Sequence, residues 1–138
     1  MDSRSRARLF RGHHYTSALD ALRMAAAVSQ RKLPGSATLV FLNRNRGLVD
    51  IRVIEDGGDQ LVEVLELVFT IDDSGASSLF IITDRSGEVS ADRPDDELVW
   101  MELVDLAGTV GITLLDWFVV FDTKAFSVAE FAPLPAQW

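Results

Sequence analysis

The chain has 138 residues, 48% of them hydrophobic and 25% charged, with a formal net charge of −8 and no cysteine. That length suits one domain with one core, and the composition is that of a globular protein rather than a disordered, fibrous or membrane chain. Without cysteine neither a disulfide framework nor a thiolate metal site can form, and no segment approaches the ~18 consecutive apolar residues a membrane span needs.

Charge is unevenly placed. Residues 1–14 carry four arginines against one aspartate, a formal +3, whereas residues 15–138 carry nine Lys/Arg against twenty Asp/Glu, a formal −11. Non-specific nucleic-acid affinity needs Lys and Arg to neutralise phosphates, so the acidic body disfavours DNA binding. Nucleic acid, or an acidic partner, would be met only through Arg4, Arg6, Arg8 and Arg11. Residues 1–15 read as a flexible basic tail, and because no apolar run follows these bases as in a secretion signal, the expected location is the cytoplasm with no membrane contact. His13-His14 is the sole histidine pair of the sequence; adjacent side chains diverge, which argues against a shared metal.

The run SALDALRMAAAVSQRK opens with hydroxyls suited to an N-cap and predicts a helix ending before Pro34-Gly35, with Leu19, Leu22, Ala26 and Val28 along one face. ATLVFLN (37–43) and LVDIRVIE (48–55), separated by a short polar stretch, predict an antiparallel hairpin. In the second strand Val49, Ile51 and Val53 face one way. Gly57-Gly58 reads as a turn, lacking the rest of a dinucleotide or phosphate-loop fingerprint. Leucine and valine at three- and four-residue intervals in QLVEVLELVFTI then predict a second helix.

SSLFIIT (77–83) is continuously apolar and predicts a central strand buried on both faces. Pro94 and the acidic triplet Asp95-Asp96-Glu97 suit the start of a third helix, proline near its first position and negative charge at the positive end of the dipole, running to about Ala107 and Gly108. GITLLDWFVVF (111–121) predicts a strand, AFSVAEF a short final one, and APLPAQW an irregular tail over 132–138. The expected fold is α/β, a central mixed sheet flanked by about three helices in the order α-β-β-α-β-α-β-β. Trp100, Trp117 and Phe118 lie in apolar periodic segments and belong to the core on this reading.

The stretch SLFIITDRSGEVSADRPDDELVWMELVDLAGTVGITLLDWFVVFDTKAFSVAE (78–130) resembles the RadC branch of the JAB/JAMM metalloprotease-like fold. In that family a buried strand ends in His-x-His-Pro-Ser-Gly, a polar loop leads to a serine and then an aspartate at a helix start, and G-I-x-L-L-D-H opens the next strand. VFLNRNRGLVDI (40–51) is similar to the family's first hairpin, so the resemblance implies one JAB-like domain over residues 16–131.

Carried over position by position, the two zinc-binding histidines fall on Ile82 and Asp84 and the following proline on Arg85. Ser86 and Gly87 match the Ser-Gly; the second serine falls on Asp92 and the third zinc ligand, an aspartate, on Asp95. Gly111, Ile112, Leu114, Leu115 and Asp116 match the later motif, whose histidine is Trp117. A catalytic zinc needs about three protein ligands plus an open position. Isoleucine cannot coordinate, and carboxylate in place of imidazole shifts preference toward harder ions.

The resemblance therefore implies a retained frame without its zinc site. Asp84, Ser86, Gly87, Asp92 and Asp95 form the candidate degenerate-site pocket, with no catalytic residue, metal ligand or cofactor expected. Ser86 has no histidine in the folded body to act as its base. Asp84, Glu88, Asp92, Asp95 and Asp96 either hold Mg²⁺ or Ca²⁺ through oxygen or form a solvated loop with dipole-complementing carboxylates. The expected function is a catalytically inactive protein-interaction or dimerisation module. The alternatives are a DNA-repair or DNA-metabolism accessory protein and a hydrolase with a remodelled carboxylate metal site.

Overall fold

The protein is described from a computed structural model over residues 14–72 and 74–138; the arginines of the basic tail and His13 lie outside the described residues. Ser17 caps the first helix, α1 (Ala18–Ser29), its hydroxyl accepting from the backbone N–H of Asp20. Asp20 reciprocates by accepting from the backbone N–H and hydroxyl of Thr16, both at 3.1 Å, so orphan donors at the helix start are satisfied in both directions. The Thr16 backbone bond, with the Thr16 hydroxyl next, holds the Asp20 carboxyl below its ordinary value. The buried face of α1 is Ala21, Met24 and Ala25, while Leu19 is 60% exposed, which corrects the expected face. The alanines carry no bulk, so the helix approaches the sheet along them and Leu19 swings outward.

Two antiparallel strands follow, β1 (Ala37–Leu42) and β2 (Leu48–Ile54), then α2 (Leu61–Ile71), β3 (Ser78–Asp84), α3 (Asp96–Thr109), β4 (Thr113–Phe121) and β5 (Lys124–Ser127). The element order is the expected α-β-β-α-β-α-β-β. The sheet order is β2-β1-β3-β4-β5, with β3 and β4 parallel and the remaining neighbours antiparallel. A parallel pair needs a crossover of a dozen or more residues, which α3 supplies. The central strand β3 is buried at every position, as its unbroken apolar run requires.

Alternation along the strands divides the core into two layers. Leu39, Phe41, Leu79, Ile81, Trp117 and Val119 pack with α2 and α3 on one face. Val40, Leu42, Phe80, Ile82, Phe118 and Val120 pack under α1 on the other. Two bulges adjust the pleat. In β2 the register shifts between Phe41 and Leu42, and Val49 joins the layer of α2 and α3 while Ile51 and Val53 face α1, so the expected alternation breaks at Val49. In β4, Leu79 pairs with Leu114 but Phe80 with Asp116, which leaves Leu115 unpaired.

Helix α3 ends as its sequence demands. Gly111 takes φ +76°, Ile112 donates to the Ala107 carbonyl at 3.0 Å and Gly111 to the Gly108 carbonyl at 3.2 Å, the double closure that a left-handed residue permits. Its start differs slightly from expectation, because Pro94 precedes the cap residue Asp95 instead of entering the first turn. The last strand is shorter than expected. After Ser127 the chain tightens into a 3-10 turn, Val128–Phe131, since Val128 and Ala129 are drawn into the core. Residues 132–138 are irregular yet packed: the Trp100 indole donates to the Leu134 carbonyl at 2.9 Å and Gln137 to the Leu115 carbonyl at 2.8 Å.

Candidate functional site

Polar groups collect where β3 and β4 end and the loop to α3 begins. Arg85, directly after β3, is 4% exposed, and its guanidinium grips the Asp96 carboxylate in a two-pronged pair with both contacts at 2.7 Å. A third bond from the guanidinium reaches the Ala91 carbonyl at 2.8 Å, and the guanidinium carbon lies 5.5 Å from the Trp117 ring centre. Asp96 also accepts from the backbone N–H of Arg93 at 2.9 Å, so the ion pair pins both ends of the loop 85–96. The planar guanidinium fork matches a carboxylate and stacks on an indole, which lysine could not do. Trp117 is fixed in turn by its indole N–H, which donates to the Thr83 hydroxyl at 2.9 Å.

Above this pair lies a cavity of about 250 Å³ whose polar lining includes Asp59, Glu63, Arg93, Asp95 and Glu102. Arg93 donates to Asp59 in the same lining at 2.5 Å and to Glu88. Although desolvation pulls the other way, its hydrogen bonds to Asp59 and Glu88 and their charges raise the Arg93 pKa above the ordinary arginine value.

The five candidate residues read from the sequence are not brought together. Asp84 is buried, with one carboxylate oxygen accepting from the Ser86 backbone N–H at 2.8 Å and the other without a partner among the described residues. Ser86 accepts from the Asp122 N–H at 3.1 Å, and with Gly87 it lines a separate depression against Ser29, Lys32 and Pro34. Asp92 is exposed, accepts from the Ser90 hydroxyl at 2.8 Å and lines a third cavity; Asp95 stands at the N-cap position of α3, without a side-chain capping bond, in the lining of the cavity above Arg85.

The positions carried over as zinc ligands do not fit a metal. Ile82 offers no donor and is packed under α1, whereas Asp95 opens the helix on the opposite face of the sheet. Among the described residues no three His, Cys, Asp or Glu side chains are grouped so as to hold an ion. The inward carboxylate at the helix start is Asp96, one position beyond the residue carried over, and its partner Arg85 stands where the resemblance places a proline. The signal for the pair was in the sequence: an arginine directly after a continuously apolar strand, followed eleven residues later by an acidic helix start.

A second polar centre lies in β4. Asp116, 1% exposed, accepts from its neighbour's backbone N–H at Trp117 (2.9 Å), the Ser127 hydroxyl (2.6 Å) and the Trp138 indole (2.8 Å). Its three donors make it a structural clasp between β4, β5 and the C-terminal segment. The fold and site thus define a mixed α/β domain with a buried arginine-carboxylate pair at the end of its central strand. No family model matches the chain, and no curated protein matches it in sequence. No helix among the described residues is long and apolar enough to cross a membrane.

Proposed function

We propose that this protein is a non-catalytic, cytoplasmic binding module on a RadC-like JAB framework, acting by engaging a protein partner. The observation that carries the reading is the Arg85–Asp96 pair. It fills the ground at the end of β3 with a guanidinium whose carboxylate partner is already saturated, so this place offers a cation to a passing metal instead of a free ligand set. An acidic body suits recognition of a basic surface better than of nucleic acid.

The test is elemental analysis of tag-free protein after incubation with Zn²⁺, Mg²⁺ and Ca²⁺ and exhaustive dialysis. Well below one equivalent of every metal is the expected result. A stoichiometric ion that Asp84→Asn or Asp95→Asn removes would overturn the reading and reopen metal-dependent hydrolysis.

A further inference from the structure

Between the loop that precedes α3 and the edge of the sheet runs a groove of about 540 Å³. Pro94, Phe126, Val128 and Phe131 form its apolar wall, and the exposed Asp92 and Glu97 stand at its rim. Phe131 is 67% exposed although its ring is held in place, edge-on to Phe126 at 6.4 Å. Two further apolar side chains are exposed on α3 and the C-terminal segment. Met101, one helical turn past Glu97, is 37% exposed, and Leu134, whose carbonyl is tied to the Trp100 indole, is 36% exposed. An exposed aromatic ring in the wall of an apolar groove is a surface form that marks interaction sites and supplies their anchors.

The charges decide the occupant. Arg93 lines the groove, but its guanidinium is engaged by Asp59 and Glu88; Asp96 is engaged by Arg85. The remaining charged groups of the wall are Asp92 and Glu97, both negative. Glu130 precedes Phe131, and α3 carries Asp96, Glu97, Glu102 and Asp105 without one basic residue; Lys124, two residues before Phe126 on β5, is an opposing base. The acidic body of a second copy, a formal −11 over residues 15–138, would meet like charge across this surface.

We infer that the groove receives a short segment of another protein that sets an aromatic or leucine side chain against Phe131 and Pro94 and flanking arginines or lysines against Asp92 and Glu97. The inference rests on reading the protein as a binding module and names the surface and the partner chemistry. An apolar anchor supplies affinity, and guanidinium groups paired two-pronged with rim carboxylates supply orientation.

The experiment is selection of random short peptides displayed on phage against the intact chain, with affinities of the enriched sequences then measured against wild type, Phe131→Ala and Glu97→Lys. The expected sequences carry Leu, Phe or Trp flanked by Arg or Lys, bind more weakly as salt rises, and lose roughly tenfold or more in affinity to each variant. Because both side chains are exposed, the variants keep the fold, which circular dichroism checks. No enrichment, enrichment of sequences without basic residues, binding indifferent to Phe131→Ala, or a concentration-dependent dimer that Phe131→Ala abolishes would each overturn the inference. All four leave the metal-content result untouched, so failure of the groove and failure of the module reading are separable.

Discussion

The indole N–H of Trp138 donates to the Asp116 carboxylate at 2.8 Å, joining the last residue to the bulge in β4. The same ring leans on Phe80 of the central strand at 5.6 Å between centres. The C-terminal segment is thereby part of the core under α1 and closes the stretch of β4 that β5 does not reach, since Gln137 donates to Leu115. Edge backbone left bare would template pairing with other chains.

Trp138→Ala removes the aromatic contact and leaves a carboxylate oxygen of a buried aspartate unpaired. A loss of about 1–3 kcal/mol is expected, with Trp138→Phe intermediate because it restores the ring without the donor. Urea denaturation of the three proteins checks this. Equal midpoints for all three would show that the clasp contributes nothing to stability.

For the Arg85–Asp96 pair, truncating one partner strands a buried charge. Asp96→Ala and Arg85→Ala should each cost about 3–5 kcal/mol, while the double change Arg85→Ala with Asp96→Ala should cost much less than the two truncations together. Denaturation midpoints of the set measure the coupling. Additive effects would mean that the two groups are solvated separately.

Alkaline pH should test Tyr15. Burial of the ring, and next the nearby Asp20 carboxylate, push its pKa above the ordinary 10.0. The folded state therefore holds the phenolic proton more tightly than the unfolded chain does. That contribution is fully present below pH 10.0 and is lost as pH rises through the higher folded value. Stability of the wild type should fall in that alkaline window more steeply than that of Tyr15→Phe; parallel curves would contradict the assignment.

Much of this fold was legible because its signals are local. The β-branched hairpin runs, the unbroken apolar β3 and Gly111 after α3 each dictate structure within a few residues. The face of α1 was misread because alanine, not leucine, lies against the sheet, a choice set by how closely the helix approaches and not by hydrophobicity. Val49 was misplaced because a bulge shifts the pleat near the start of β2, and Gly47 just before it reads equally well as part of the turn. At the candidate site the acidic loop was visible, but which carboxylate turns inward depends on the loop's path. That path is set by Arg85, eleven residues upstream of Asp96, and its guanidinium had no meaning until β3 and α3 were placed side by side. Residues that a spacing argument gathers into one pocket are spread over three depressions, because Ser86, Asp92 and Asp95 leave the loop in different directions.

That dispersal can be tested by trying to rebuild the metal centre. Ile82 lies under α1 and Asp95 opens the helix on the opposite face, so installing imidazoles with Ile82→His and Asp84→His should give no stoichiometric zinc at neutral pH. A polar ring in place of Ile82 also costs core packing, so Asp84→His alone serves as the variant that keeps the buried layer intact, and its fold is checked by denaturation midpoint. Zinc content and the zinc dependence of thermal stability are read together, since an ion bound only to the folded state raises its melting temperature. One equivalent of zinc with a raised melting temperature, in a protein that Asp95→Ala returns to metal-free, would show that the three positions converge in solution. Zinc-indifferent melting in both variants is the expected result, and it would place the departure from the metalloprotease pattern in the path of the backbone as well as in the missing histidines.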